Sequence, residues 1–165
     1  MPKVFLGLGT NVGDRQENIR RAIALLGERI ADMRAAPVYV SRAVGYADQP
    51  DFLNTAVSGD TELAPEELLG FIKKTEQSVG RVARFRWGPR EIDIDILFYD
   101  NLVYASETLE IPHPRLHERD FVLRPLCDLE SELVHPRYQK TIAELLAKLP
   151  QENLSIIRMV AYSKS

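Results

Sequence analysis

Asp93 and Asp95 are separated by one isoleucine and follow directly on a run of arginines, in the stretch Arg81-Val-Ala-Arg-Phe-Arg-Trp-Gly-Pro-Arg90-Glu-Ile-Asp93-Ile-Asp95-Ile-Leu-Phe98. Acid and isoleucine alternate there, the pattern of a strand whose successive side chains point to opposite faces. Glu91, Asp93, Asp95 and Leu97 would share one face, and Ile92, Ile94, Ile96 and Phe98 the other. The isoleucine face belongs in a core. On the aspartate face two like charges would have their Cα atoms roughly 6.5 Å apart, at ~3.3 Å per residue. They repel unless something neutralises them, and the spacing suits a shared hard cation such as Mg2+, which takes oxygen ligands. The preceding loop, residues 81–90, holds four arginines and one tryptophan, with a Gly88-Pro89 break before the last arginine. Guanidinium forks bind phosphate oxygens in pairs. Singly, an Asp-x-Asp strand is as often the solvated face of a sheet, and loop arginines are usually surface charge. Adjacent, they form one electrostatic design: metal on one side of a polyphosphate, arginines on the other.

The flanking elements must hold that stretch in place. Lys3 to Leu8 reads as a first strand, ended by Gly7-Leu-Gly-Thr-Asn-Val-Gly-Asp14. This glycine-rich segment lacks the endings of a P-loop or a dinucleotide fingerprint and reads as a tight structural turn. Asp14 and Glu17 stand at capping-box spacing before Ile19, Ala22, Ile23, Leu26 and Ile30, which recur at helical period. Met33 to Val40 reads as a second strand with Pro37 marking an edge or bulge. Residues 41–50 form a long loop, which hints at binding. Phe52 to Gly59 reads as a third strand that places Phe52, Asn54 and Ala56 on one face. An aromatic and an amide together can read a planar heterocycle, although a core Phe beside a backbone-bonded Asn is the commoner arrangement. Ala64-Pro65-Glu66-Glu67 opens a second helix that Gly80 closes. Lys73 and Glu76 on it either pair at the surface or face the arginine loop. After a short strand at Leu102 to Tyr104, the segment 109–121 is polar and sets His113 between Pro112 and Pro114. Thr141 and Glu144 make a capping box for a third helix through Leu149, and Leu154 to Val160 reads as a last strand. The expected class is α+β, with helices packed on a mainly antiparallel sheet.

At 165 residues the chain is long enough for one substantial core, and one domain, residues 1–165, is expected. The net charge of −3 argues against a general nucleic-acid binder, so the arginines serve a local anion. Cys127 is the single cysteine, which excludes intramolecular disulfides and thiolate clusters. His113, His117 and His135 have no zinc-site spacing. No apolar run approaches a membrane span. A cytoplasmic protein with no nucleic-acid or membrane partner is expected.

The sequence resembles the 6-hydroxymethyl-7,8-dihydropterin pyrophosphokinase family over essentially its whole length. The matching stretches are 7–14, Asp48-Gln-Pro-Asp-Phe-Leu-Asn54, Gly80-Arg-Val, Arg86-Trp-Gly-Pro-Arg90, Ile92-Asp-Ile-Asp-Ile-Leu97, Ile111-Pro-His113 and His117-Glu-Arg-Asp-Phe-Val-Leu123. The resemblance implies a ferredoxin-like fold. It also implies transfer of pyrophosphate from ATP to the hydroxymethyl group of 6-hydroxymethyl-7,8-dihydropterin, releasing AMP, in folate biosynthesis. By position, it implies that Asp93 and Asp95 bind two Mg2+ ions. Phe52 and Phe121 would sandwich the pterin, Asn54 would bond its edge, and Ser41, Val44 and Trp87 would line or cover it. Lys73, Glu76, Ile96, His113 and Arg119 would stand at the nucleotide. Arg81, Arg86 and Arg90 would belong to the lid and its anchor, with Arg81, Arg90 and His113 in catalytic roles. Some positions depart from the family pattern. Lys73 replaces Gln, the lid between Arg81 and Arg86 is one residue shorter, Arg84 takes over for an arginine lost at Ala83, and Pro114 replaces Tyr. A monomer is the family expectation. The rival readings are a catalytically decayed pterin or nucleotide binder, and an RNA-binding module using the Arg/Trp loop.

Overall fold

The computed structural model describes residues 1–43, 48–81 and 89–160. Its elements in chain order are β1 (Lys3–Thr10), α1 (Arg15–Leu26), β2 (Ala31–Ala35), β3 (Tyr39–Ser41), β4 (Phe52–Asp60), α2 (Pro65–Val79) and β5 (Asp93–Tyr99). There follow β6 (Tyr104–Ala105), β7 (Glu110–Ile111), α3 (Asp120–Glu130), β8 (Val134–His135), β9 (Lys140–Thr141), α4 (Ile142–Ala147) and β10 (Ile156–Met159). Strand β1 pairs antiparallel with β4 on one side and β5 on the other. The main sheet has the order β10-β3-β4-β1-β5, with β2 also on β4, and every pairing is antiparallel. A βαββαβ path with β1 in the middle is the ferredoxin-like arrangement expected.

Met33 to Val40, expected as one strand, is two. Pro37 lacks an N–H and the ladder breaks around it, so β2 and β3 lie end to end along β4. Asp14 caps α1 by accepting the Glu17 N–H at 3.2 Å. The expected box stays half made, because the Glu17 carboxylate pairs with Arg20. Thr141 and Glu144 close theirs at the start of α4. Gly80 ends α2 at φ +116°, a conformation that suits glycine. The short strand after β5 is Tyr104–Ala105 rather than Leu102 to Tyr104.

Two apolar layers flank the sheet. Ile19, Ala22 and Leu26 of α1 and Leu68, Ile72 and Val79 of α2 pack on Val4, Leu6, Leu8, Ile94 and Ile96. On the other face, Leu123, Leu126 and Leu129 of α3 and Ile142 of α4 pack on Phe5, Ala56, Leu97 and Phe98. Phe98 was expected with the isoleucines and lies on the opposite face. The β1–β5 register jumps from Leu6↔Ile96 to Phe5↔Phe98, which leaves Leu97 as the extra residue of a β-bulge. Past it the alternation is reset. Phe98 meets Phe5 edge to face at 6.2 Å, and Tyr99 turns into the α1–α2 layer. Among the described residues, no helix is long and apolar enough to cross a membrane.

Candidate active site

Asp93 and Asp95 project from the first half of β5, opposite Gly9 and Gly7 of β1. Both Asp93 oxygens are engaged by arginines: Arg81 Nη1 lies 3.2 Å from Oδ1 and Arg90 Nη1 lies 3.0 Å from Oδ2. Arg81 also binds Glu76 at 2.7 Å. Glu76 is buried on α2, and its Oε2 accepts the Ile94 N–H at 2.8 Å, so one carboxylate ties α2, β5 and Arg81 together. Burial raises the Glu76 carboxyl above its ordinary value. Glu76 therefore faces the basic side, and exposed Lys73 does not pair with it.

Asp95 lies 3.9 Å from His113 Nε2. Desolvation, and then the Asp93 charge, push its carboxyl well above the usual range. Burial, and then Arg119, lower His113 to about 4. Its Nδ1 accepts the Arg115 N–H at 3.2 Å, so the neutral ring carries its proton on Nε2, toward Asp95. Burial also lowers Arg119. A carboxylate that desolvation and a like charge hold toward neutrality is stabilised as an anion by a cation. Among the described residues no three acidic, His or Cys side chains form a ready metal cage. Two carboxylates with the remaining donors left to phosphate oxygens and water is the usual way to hold Mg2+, so the residues fit that ion.

Two cavities meet at this pair. The first, about 320 Å³, has Phe52, Asn54, Phe121 and Arg119 on its wall and Gly7 and Gly9 on its floor. Ser41 Oγ donates to Asn54 Oδ1 at 2.5 Å and thereby orients the amide. The second, about 500 Å³, is lined by Lys73, Glu76, Arg81, Ile96 and His113 and by the β6–β7 hairpin. Asp93 and Asp95 line both. Arg119, expected at the nucleotide, is on the wall of the first cavity, where its guanidinium lies 5.6 Å from the Phe121 ring. Val44, Arg86 and Trp87, with Ala83 and Arg84, lie outside the described residues.

Sequence reasoning placed Gly13 correctly in a turn, at φ +76°, but misread the two glycines before it. Gly7 and Gly9 sit within β1, not in a turn. A Cβ on Gly9 would stand 2.9 Å from Asn54 Nδ2, and one on Gly7 3.3 Å from Leu97. Their missing side chains make room for the floor of the first cavity. Asn11 was also missed. Its side chain donates to Gln49 at 2.7 Å and to the Pro50 carbonyl at 3.1 Å, and accepts the Arg90 N–H at 2.8 Å. It joins the two loops that border the site; an amide just after a strand end was the only signal.

A model of the 7,8-dihydro-6-hydroxymethylpterin-pyrophosphokinase (HPPK) family matches residues 5–131. The chain is 48% identical over 144 residues to the 2-amino-4-hydroxy-6-hydroxymethyldihydropteridine pyrophosphokinase of Aquifex aeolicus, covering 87% of this chain and 90% of that one. It is 42% identical over 127 residues to the Bacillus subtilis protein of the same name, 76% of each. With the bifunctional protein FolKE of Lactococcus lactis it shares 40% over 162 residues, 96% of this chain but 46% of that protein. Among solved structures, wild-type Plasmodium falciparum HPPK-DHPS with pteroate matches at a TM-score of 0.70 and 17% identity, over 89% of this chain and 42% of that one, a likeness of fold. A family match across the strands and helices that carry both aspartates, His113 and every residue named so far on the two cavity walls settles the descent: the chain belongs to the 7,8-dihydro-6-hydroxymethylpterin-pyrophosphokinase family.

Proposed function

We propose that the chain transfers pyrophosphate from ATP to the hydroxymethyl group of 6-hydroxymethyl-7,8-dihydropterin, releasing AMP, in folate biosynthesis. The observation that carries this reading is that two cavities of different chemistry share one carboxylate pair. The aromatic cavity takes the pterin: Phe52 and Phe121 stack on it, and Asn54, held by Ser41, pairs with its edge. The second cavity takes ATP, with Lys73, Glu76, Ile96 and His113 around the nucleotide and Arg119 at the junction. The pterin hydroxyl oxygen bonds to the β-phosphorus as the bond to the α,β-bridging oxygen breaks. The hydroxyl proton is released and AMP leaves in line.

Such a transfer needs positioning and charge stabilisation more than covalent help. Two Mg2+ ions held by Asp93 and Asp95 would supply neutralisation of the phosphate charge. Arg81 and Arg90, now on Asp93, are placed to exchange that carboxylate for phosphate oxygens as charge builds there. Neutral His113 donates its Nε2–H to a phosphate oxygen rather than acting as a proton source. Arg86 and Trp87 would complete the lid, with Val44 at the pterin rim. This reading makes the protein a cytoplasmic monomer of one domain.

The test is to mix protein, ATP, Mg2+ and 6-hydroxymethyl-7,8-dihydropterin and separate the nucleotides. AMP formed mole for mole with pterin consumed, with no ADP, and abolished by a chelator, supports the reading. ADP, or pterin binding without turnover, overturns it.

A further inference from the structure

Asp120 is a buried carboxylate with no part in the transfer. It is 4% exposed at the first position of α3, next to Phe121. Three donors reach it from the far end of the chain: the Ser155 N–H at 2.8 Å and the Ile156 N–H at 2.9 Å on Oδ2, and the Ser155 hydroxyl at 2.6 Å on Oδ1. Ser155 is itself 6% exposed. A carboxylate removed from water is expensive unless its lone pairs are filled, and these donors fill them.

The residues it grips adjoin the first cavity. Ile156 is the register partner of Ser41, which orients the Asn54 amide. Arg42 donates its N–H to the Ser155 carbonyl at 3.0 Å and its guanidinium to the Leu154 carbonyl at 2.7 Å. Asn153 lies on the cavity wall and donates to the Glu118 carbonyl at 2.9 Å. The start of β10 is thus wedged between the β3 end that carries Ser41 and the α3 start that carries Phe121. Its residues lie beyond 131, where the family match stops.

We propose that Asp120 is a positioning residue for the pterin: by clamping Ser155 and Ile156 it fixes the distance between the Ser41–Asn54 pair and the Phe121 ring, and it makes segment 153–156 a wall of the acceptor pocket. This rests on the functional reading above. The clamp touches neither aspartate nor the second cavity, so its loss acts on the pterin and spares ATP.

The experiment measures KM for pterin and for ATP in wild type, Asp120→Ala, Asp120→Asn and Ser155→Ala, with circular dichroism at the assay temperature. Asp120→Ala raises the pterin KM about tenfold or more and leaves the ATP KM within about twofold. Asp120→Asn recovers most of the loss, because its oxygen can take the two backbone donors while its amide donates to the Ser155 hydroxyl. Ser155→Ala gives a smaller rise, about threefold, again in pterin alone. If Asp120→Ala does not fold, Ser155→Ala decides: a rise in pterin KM alone upholds the proposal, and no change overturns it. A folded Asp120→Ala with normal pterin KM, or with both constants raised together, also overturns it. Wild-type protein that makes no AMP fails the functional reading and takes the clamp with it; turnover with an indifferent Asp120 fails the clamp alone.

Discussion

Asp95 is held by three neighbours of different kinds: a like charge at Asp93, the neutral ring of His113 and the cationic Arg119. Replacing it by alanine removes the like-charge repulsion, so Asp95→Ala should fold at least as stably as wild type while AMP release falls by about 10³-fold or more. Near-normal turnover would remove Asp95 from the metal site. His113→Ala should lower kcat by about 10²-fold or more, with His113→Asn recovering part of it because an N–H donor remains. Since His113 is lowered to about 4, its neutral form is present throughout the range above that value. The wild-type rate should therefore show no fall attributable to His113 as pH rises through 6.5. Gly9→Ala tests the cavity floor. A methyl 2.9 Å from Asn54 Nδ2 must displace the amide, so pterin KM should rise about tenfold while the ATP constant holds.

At the scale of elements, the link between α2 and β5 is one side chain. Glu76→Ala would leave the buried Ile94 N–H without an acceptor and release Arg81. A loss of about 2 kcal/mol in urea unfolding is expected, with Glu76→Gln costing less. The strands and helices that position the site were legible because periodicity and capping are local: Asp14, Pro65, Gly80, Thr141 and Glu144 mark their ends at the expected places. The aspartate face was legible for the same reason, since alternation survives from Ile92 through Leu97. What could not be read was non-local. The Glu76 contact spans 18 residues and the Ser41–Asn54 pair is formed only by the β3–β4 register. The break at Pro37 was signalled; that both halves would share one neighbouring strand was not.

For the whole molecule, acid stability has an identifiable contributor away from the cleft. His135 is buried, stacks on Tyr138 at 4.4 Å and accepts the Arg137 and Tyr138 N–H groups on Nδ1, each at 3.2 Å. Burial, and then His117, lower it to about 4 from the ordinary 6.5. The unfolded chain takes up a proton that the folded ring refuses, so this stability is complete above pH 6.5 and is lost as pH falls toward 4. At about 1.4 kcal/mol per unit the loss approaches 3 kcal/mol. Urea midpoints measured from pH 7 to pH 4 should fall steeply in wild type and less so in His135→Asn. Recognition of the family from the sequence rested on short dense runs such as 86–97; Asp120 stands in one of them, 117–123, but the residues whose donors grip it, Ser155 and Ile156, lie outside any motif.

The bulge at Leu97 gives β5 a constraint of another kind. Upstream of it the strand shows its polar side to the cleft; downstream the same side holds Phe98 in the core beneath α3. Substitutions among the apolar residues there can be absorbed by repacking. A change in length acts differently at the bulge and upstream of it: losing Leu97 would leave Asp95, Ile96 and Phe98 in plain alternation, with Phe98 still opposite Phe5 and Tyr99 still against α1 and α2, whereas losing Ile94 would turn Asp95 onto the isoleucine face. Over evolutionary time the count should therefore stay fixed from Asp93 to Asp95 while it can drop by one at the bulge, and a single-codon deletion should be better tolerated at Leu97 than at Ile94.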